Sequence, residues 1–448
     1  MKKGTTKKRT RKPLWITIGA AAACLAVGGM VAMNTMNTGI TAYAQAEYPQ
    51  MAKYPNESSL FFDKEWEAWN DARSRQLNQP EGYCENLWKF YTDSTRTFLD
   101  SDKNSSFSPL NLYMALSALA ETCGGSSRQQ ILDLLNSDSI ESLRTQAGQV
   151  WNANYCNDGA VTSVLANSIW LSDDIKFSED TLGSLADNYY ASAYSGKFGT
   201  DTMNQAIKDW LNEQTDGFLE DAVDTVNLDA STIFALYSTV YFRGKWDDEF
   251  RAERNSTRTF HAPTGDISAE FMNRTDTFGS YYFSEDYGAV NLPFDTGCRM
   301  WLILPDEDKD VAAVLESGEY MDMIAHTDKY YDSSKSLVIN LSVPKFDVSS
   351  TVDLRDGLSE LGVTDIFGSS ADFTPICGDE CYVNKARQSS RVTIDEEGCT
   401  AASFVEMATC GGAMPPEDEM DFVLDRPFVF VLTGMDGQPL FAGTVCQP

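Results

Sequence analysis

The chain has 448 residues, of which 42% are hydrophobic and 23% are charged, an ordinary globular composition with enough apolar mass for a large core. Its formal net charge of -31 creates a field that repels phosphate backbones and other polyanions, which argues against nucleic acid and heparin-like ligands. The same charge favours encounter with cationic proteins, although solubility alone also accounts for it.

Residues 1–46 are typical of an export signal. The opening stretch MKKGTTKKRTRK holds seven Lys and Arg and no acid, and residues 14–33 form an apolar run interrupted only by Thr17. The small-x-small end of AYAQA predicts cleavage before Glu47, whereas an apolar run of this length can also span a bilayer uncleaved, as a membrane anchor. In both cases we expect the body to be extracellular or at the cell surface.

Histidine and cysteine usage indicates no catalytic or metal site. His261 and His326 are the only histidines and lie in no nucleophile motif, and the GxSxG, HExxH, P-loop and GxGxxG patterns are missing. The ten cysteines are dispersed; Cys377 and Cys381 could close a local loop or hold a metal, although their spacing is not a standard zinc pattern. A carboxylate pair among the 66 acidic residues stays open, but the simplest prediction is a protein that is not an enzyme and has no cofactor.

The body begins with helices and continues with strands. Residues 47–81 are predicted to be a spacer with one short amphipathic helix, and residues 104–135 contain a Ser-Pro helix start and a stop at Gly124-Gly125. Further on, β-rich runs dominate, including VLANSIWL, TIFALYSTVYF, RMWLILP, SLVINLSVPKF and PFVFVL. Helices that mostly precede strands indicate an α+β domain over residues 82–448 rather than a repeating βαβ arrangement.

Several blocks of this body follow one another in an order that one family shares. The helix pair NSSFSPLNLYMALSALAETCGGSSRQQI precedes YFRGKWDDEF, LSVPKFDVSSTVDLRDGLSELGVTDIF, IDEEGCTAA, and finally RPFVFVL with LFAGTVCQP. With these blocks the chain from about Gly82 to Pro448 resembles the serpins, a family of serine protease inhibitors, and among them a bacterial-type exported member. The resemblance implies one α+β domain with three β-sheets, about nine helices and an exposed reactive-centre loop at about residues 396–416.

The resemblance also implies a mechanism. In the family, a target serine protease cleaves the loop as a substrate, and the loop then inserts into the main sheet while the protease stays covalently trapped. We expect this chain to act in that way as a monomer whose partner is the protease. The sheet-opening region would include Ser108, Trp246 and Gln388; Gln388 stands where the family often has a histidine, so no pH-sensitive gate is expected there.

The start of the loop resembles the hinge of inhibitory members. The EEG triplet is kept, Cys399 replaces the usual Thr, and Phe404 interrupts the usual run of alanines. Small residues ease passage between strands, so Phe404 is the departure that most opposes fast insertion. The residues assigned to the hinge are Glu396, Glu397, Gly398, Cys399, Thr400, Ala401 and Ala402.

The chemistry of the loop suits a strand in the middle of a sheet. From Cys399 to Met414 no proline removes a backbone N–H. If Cys399 points inward, alternation makes the inward side chains small or apolar, and Glu406, the only charge, faces outward. Cys399 and Cys410 also raise a redox hypothesis, because a disulfide at either would keep the loop from threading into the sheet; simple thiols are the plainer interpretation.

The hinge also predicts the cleaved bond. In typical inhibitory members this bond lies 14 residues after the hinge glycine, which predicts Gly412-Ala413, with Ala413-Met414 as the alternative. Gly or Ala before the cut suits a small uncharged pocket, and no basic residue lies between Glu396 and Glu419, so we expect elastase-like or subtilisin-like targets. The alternative function is a non-inhibitory serpin-fold binding or surface protein whose loop is only cleaved as a substrate.

Overall fold

The structure, a computed structural model, describes residues 39–49, 51–56, 59–294, 297–378, 380–399 and 416–448. In these ranges the chain forms eleven α-helices, against about nine expected. The excess includes α8, whose four residues are too few for a periodic pattern to predict. The helices are α1 Phe62–Leu77, α2 Trp88–Phe98, α3 Pro109–Thr122, α4 Gly125–Leu134, α5 Ile140–Asn154, α6 Glu179–Tyr189, α7 Asp201–Gln214, α8 Glu220–Val223, α9 Val311–Ser317, α10 Glu319–Ala325 and α11 Arg355–Glu360.

The strands of the described residues form two hydrogen-bonded networks. They are β1 Thr41–Ala44, β2 Ser105–Phe107, β3 Cys156–Asn157, β4 Thr162–Ser172, β5 Ala191–Gly196, β6 Phe234–Lys245, β7 Ser256–Ala262, β8 Gly265–Phe283, β9 Tyr287–Pro293, β10 Arg299–Pro305, β11 Ser334–Pro344, β12 Phe346–Asp353, β13 Arg387–Ile394, β14 Gly398–Cys399, β15 Glu419–Val423, β16 Phe428–Thr433 and β17 Pro439–Val445.

The first network is the main sheet, with the strand order β1-β5-β4-β6-β14-β13-β12 and β3 beside β4. The second has the order β15-β11-β8-β9-β10-β16-β17-β2, with β7 beside β8. The resemblance predicts three sheets, and the second network combines two of them. The reason is that β8 is 19 residues long: it pairs with β7 and β11 along most of its length and with β9 at residues 281–283.

Helix α3 packs between β6 of the main sheet and β17 of the second network, and it is buried on nearly every side. The Ser108 side chain accepts a hydrogen bond from the Asn111 N–H, and Pro109 occupies the first turn, where its missing N–H costs nothing. The sequence predicts this start and the end of the helix before Gly124. The two ends set the length of α3, and its contacts with β6 place it against the main sheet.

Residues 39–81 pack against the predicted body where the structure describes them, whereas the sequence predicts the end of a signal or anchor up to residue 46 and a spacer over residues 47–81. β1 pairs with β5 and extends the edge of the main sheet, and Ile40 is only 2% exposed. Tyr48 contacts the ring of Trp151 on α5, and on α1 Trp69 donates a 2.9 Å hydrogen bond to Asp158. Burial of these aromatic rings offsets the entropy lost by ordering the segment, which is why it does not behave as a linker.

In the part of the chain that the structure describes, no helix is both long and apolar enough to cross a membrane. Residues 14–33, the predicted signal or anchor, lie outside the described residues. β1 precedes Glu47, so cleavage at the predicted site would remove β1 from the sheet edge.

Candidate functional site

The candidate site is a gap in the main sheet between β6 and β13, which we call the slot. Its upper end is closed by the two residues of β14: Cys399 pairs with Gly244 on β6 and with Ile394 on β13. Below this point the two strands border a cavity of about 590 Å³. The lower end of the slot lies near Phe234, the first residue of β6.

The backbone N–H and C=O groups on the edges of β6 and β13 that face the slot could pair with an entering strand. β6 is paired with β4 on its far side and β13 with β12 on its far side, and among the described residues only β14 joins β6 to β13. Strand edges that lack a partner present rows of N–H and C=O groups, and such rows accept a further strand.

The hinge begins in a tight turn organised by Asp395. The Asp395 carboxylate accepts hydrogen bonds from the N–H groups of Glu397 (2.9 Å) and Gly398 (3.1 Å), and its own N–H donates to the Gly398 carbonyl (3.0 Å). A Cβ atom on Gly398 would lie 2.2 Å from the carbonyl oxygen of Gly244. Only glycine therefore allows β14 to approach β6 this closely.

Glu396 ties the hinge to neighbouring elements. Its carboxylate accepts hydrogen bonds from Lys345 Nζ (2.7 Å) and Asn255 Nδ2 (2.5 Å), and Lys345 also contacts Glu270 (3.2 Å). Burial alone would raise the pKa of Glu396, but the hydrogen bonds from Lys345 and Asn255 outweigh it and lower the pKa below its ordinary value. Glu396 is thus held ionised at the point where the loop leaves β13.

Trp246 lies beside the hinge. Its indole Nε1–H donates to the Asp395 carbonyl (2.9 Å), its backbone N–H donates to the Glu397 carbonyl (3.1 Å), and its ring is 1% exposed and stacks on Phe294 at 4.5 Å. The next turn adds a bond from the Phe250 N–H to the Glu396 carbonyl (3.0 Å). The indole is therefore a rigid support for the backbone of the hinge.

Ser108 and Gln388 form a reciprocal pair in the floor of the slot. The Ser108 N–H donates to Gln388 Oε1 (2.7 Å), and Gln388 Nε2 donates to the Ser108 carbonyl (3.0 Å). On the other side of the slot, Asn111 Nδ2 donates to the Ser238 carbonyl of β6 (3.3 Å), and Ser238 Oγ donates to Asn111 Oδ1 (2.5 Å). The first turn of α3 therefore holds both borders of the slot, β13 through Gln388 and β6 through Ser238.

The structure brings Ser108 and Gln388 together but sets Trp246 apart from them. Ile394, the partner of Cys399, lies six positions after Gln388 on β13, and this corresponds to about 20 Å along the strand. The predicted residues Thr400, Ala401, Ala402, Gly412, Ala413 and Met414 lie outside the described residues.

Sequence reasoning missed Asn111, Asn255, Lys345 and Asp395. Asn111, Asn255 and Lys345 act through partners from distant parts of the chain, and no local pattern announces such contacts. Asp395 instead caps the turn that follows it, and an Asp two and three residues before the bonded N–H groups is a local signal that could have found it. The two histidines contact surface carboxylates: His261 Nδ1 lies 2.7 Å from Asp266, and His326 Nε2 lies 2.8 Å from Glu85. Within the described ranges, no three or more His, Cys, Asp or Glu side chains form a group that could hold a metal.

Comparison with known families identifies the class of protein. The family model described as serpin (serine protease inhibitor) matches residues 86–448. This chain therefore belongs to the serpin family, as the sequence motifs predict, and members of that family are generally inhibitors rather than enzymes. Serpins form covalent complexes with the serine proteases that they inhibit.

Individual proteins and a solved structure are also similar to this chain. The chain is 27% identical over 375 residues to alpha-1-antiproteinase of Callosciurus caniceps, covering 81% of this chain and 88% of that protein. It is 26% identical over 372 residues to leukocyte elastase inhibitor of Sus scrofa, covering 80% and 98%. Its structure is similar to that of native tengpin, a thermophilic serpin, with a TM-score of 0.72 at 24% identity over 83% of this chain and 95% of tengpin. The predicted α+β serpin fold is confirmed.

Proposed function

We propose that this serpin is exported and, as a monomer, inhibits elastase-like serine proteases, which prefer small residues, by acting as a suicide substrate. The observation that carries the proposal is the slot, which among residues 39–399 and 416–448, as far as the structure describes them, only Gly398 and Cys399 close, at its upper end. A sheet that is open along one line, directly below the hinge of the loop, is what strand insertion requires. The similarity to an elastase inhibitor supports the choice of target class.

The register of β14 supports insertion of the residues that follow it. Cys399 faces Ile394, one of the buried side chains that alternate along β13. If the same pairing continues, Ala401 comes opposite Val392 and Val405 opposite Gln388, both on the inward face. Small or apolar side chains would then meet the floor formed by α3.

Phe404, which interrupts the usual run of alanines, also fits the outward face of an inserted loop. In the same register Phe404 comes opposite Thr239, which is 5% exposed, and the lining of the cavity includes Phe218, Ala222 and Val223. The phenyl ring would enter this cavity rather than water. Glu406 would come opposite Arg387, which is exposed and of opposite charge. Both outward side chains therefore suit the inserted position.

Insertion also has enough driving force to be one-way. Roughly ten new ladder hydrogen bonds at about 0.5–1.5 kcal/mol each amount to about 5–15 kcal/mol before any side-chain burial. This is comparable to the stability of a whole domain. In the proposed reaction the protease serine attacks the Gly412 carbonyl carbon, the Ala413 amine leaves, and insertion precedes attack of water on the resulting ester.

The test mixes a soluble body, residues 39–448, with neutrophil elastase and, as a matched control, with trypsin. A complex of elastase and serpin that survives SDS, together with a released peptide that begins at Ala413, is the expected result. Cleaved serpin with fully active elastase would overturn the inhibitory function and leave the non-inhibitory alternative. A peptide that begins at Met414 would move the cleaved bond to Ala413-Met414 and leave the mechanism intact.

A pair of loop variants tests the register. Ala401→Asp places a charge on the inward face, and Ala408→Asp places the same charge on the outward face, opposite Lys385 in this register. We expect Ala401→Asp to become a substrate, whereas Ala408→Asp keeps forming the complex, because a carboxylate buried against α3 has no partner there. Equal inhibition by both variants would contradict the register.

A further inference from the structure

A pair of thiols lies at the lower end of the slot, away from the hinge. The Sγ atoms of Cys377 and Cys381 are 3.9 Å apart. A disulfide needs an S–S distance of about 2.0 Å, so the two sulfurs would have to approach each other by about 2 Å. Cys377 is 4% exposed, whereas Cys381 is partly exposed and open to reagents in solvent.

The backbone on both sides of this pair is held in position. Before it, the Ser178 N–H donates to the Ile376 carbonyl (2.9 Å), and Phe177 forms a β-bridge with Cys377. After it, the Val383 N–H donates to the Ile366 carbonyl (2.7 Å). The two thiols are therefore kept close by contacts that do not involve the sulfur atoms.

A third thiol, that of Cys123, lies in the same region and is fully buried. Desolvation raises the pKa of Cys123 to about 12, so this thiol stays protonated and is a poor nucleophile for disulfide exchange. The accessible Cys381 and its neighbour Cys377 are the pair that the geometry favours.

The pair lies next to the part of the slot that has no strand on one side. Cys381, Val383 and Ala386 line the cavity, but β13 begins only at Arg387. An inserted strand that keeps the register of Cys399 would meet Asn384 at the level of Phe234, where β6 begins. Residues 383–386 must therefore adapt to pair with such a strand.

We propose that Cys377 and Cys381 are a reversible disulfide site, and that the bond restrains the lower end of the slot and opposes complete strand insertion. The oxidant is a small-molecule disulfide such as glutathione disulfide. The Cys381 thiolate attacks one sulfur of it and releases one thiol; the Cys377 thiolate then attacks Cys381 Sγ of the mixed disulfide and releases the second thiol. The two protons of the cysteine thiols end on the two released thiols, by way of solvent, and two electrons reduce the small disulfide. The effect on insertion rests on the proposed inhibitory function.

The chemical part is tested on the soluble body with Cys399→Ser and Cys410→Ser, which exclude the loop thiols. After treatment with glutathione disulfide and alkylation, mass spectrometry should find a peptide that contains Cys377 and Cys381, lacks alkyl groups and is lighter by two hydrogen atoms. Alkylation of both residues, or a link between Cys381 and Cys123, would overturn the assignment.

The functional part compares the oxidised and the dithiothreitol-reduced body against elastase. We expect oxidation to raise the stoichiometry of inhibition by about twofold or more, because slower insertion leaves more acyl-enzyme to hydrolysis. The variant Cys381→Ser should match the reduced protein in both conditions. Equal stoichiometries for the oxidised and the reduced protein would show that the disulfide does not restrain insertion, even if mass spectrometry finds the bond. A lack of any covalent complex in both states would refute the inhibitory function itself.

Discussion

At the scale of single residues, the hinge depends on the ion pair between Glu396 and Lys345. Glu396→Gln keeps the shape of the side chain and removes its charge, so we expect native stability to fall by about 1–2 kcal/mol, since charge-assisted hydrogen bonds of partly buried groups are worth this much. The midpoint of urea unfolding measures the loss. Glu397→Gln is the control, because Glu397 is exposed; equal losses in the two variants would refute a specific role for Glu396.

A second residue-scale prediction concerns pH. His326 lies between Glu85 (2.8 Å) and Asp322 (3.0 Å), and the hydrogen bond with Glu85 raises its pKa above the ordinary value despite some desolvation. A raised folded pKa means that the stabilisation is fully present below the pKa of the unfolded chain and is lost as pH rises through the folded value. Urea midpoints at about pH 5.5 and about pH 8.5 should therefore differ more for the natural protein than for His326→Gln.

The matched control for this prediction is His261→Gln, at a more exposed pair with Asp266. Because solvent weakens exposed ion pairs, its pH profile should follow that of the natural protein closely. If His326→Gln also follows the natural profile, the contact with Glu85 contributes nothing to stability.

At the scale of elements, α3 connects the two strands that border the slot, because its first turn is hydrogen-bonded both to β13 and to β6. Gln388→Ala removes both hydrogen bonds to Ser108 and leaves the buried Ser108 N–H unpaired, whereas the Ser108 carbonyl keeps its bond from the Leu112 N–H, so the change should cost about 1–3 kcal/mol. The same change should speed loop-sheet polymerisation on warming, visible as a ladder on native gels. Ser389→Ala, on the outer face of β13, is the control; a normal urea midpoint for Gln388→Ala would show that α3 does not restrain the slot.

The elements also separate what a sequence can predict from what it cannot. The start of α3 at Ser108-Pro109 is local chemistry and is confirmed, and the glycine of the hinge resembles a family motif whose geometry the structure explains by the close approach to Gly244. The contacts of Glu396 with Lys345 and Asn255 join three separate strands and loops, and neither periodicity nor propensity reports such pairs. The position of the cleaved bond stays a prediction.

At the scale of the whole molecule, the question is whether the N-terminal segment with β1 belongs to the stable folded domain. β1 adds a strand to the edge of the main sheet, and the Ile40 side chain packs against Gly196 on β5 so closely that a Cβ atom there would lie 2.6 Å from Ile40 Cδ1. This segment is therefore packed onto the edge strand of the sheet. The sequence predicts that residues 1–46 are either a cleaved signal or an uncleaved anchor, and β1 lies within this stretch of chain.

A body that starts at Glu47 should consequently be less stable than one that starts at Gly39, by about 2–4 kcal/mol, because full burial of an Ile side chain alone is worth about 1.5–3 kcal/mol. Urea unfolding of the two bodies measures the difference. Ile40→Ala in the longer body should reproduce most of the loss, whereas Tyr43→Ala should change little, since Tyr43 is largely exposed. Identical midpoints for the two bodies would mean that the β1 edge contributes nothing, and cleavage before Glu47 would then leave the stability of the fold intact. A clear loss would instead favour retention of β1 in the mature protein, and with it an N-terminal anchor or a cut nearer the start of the chain.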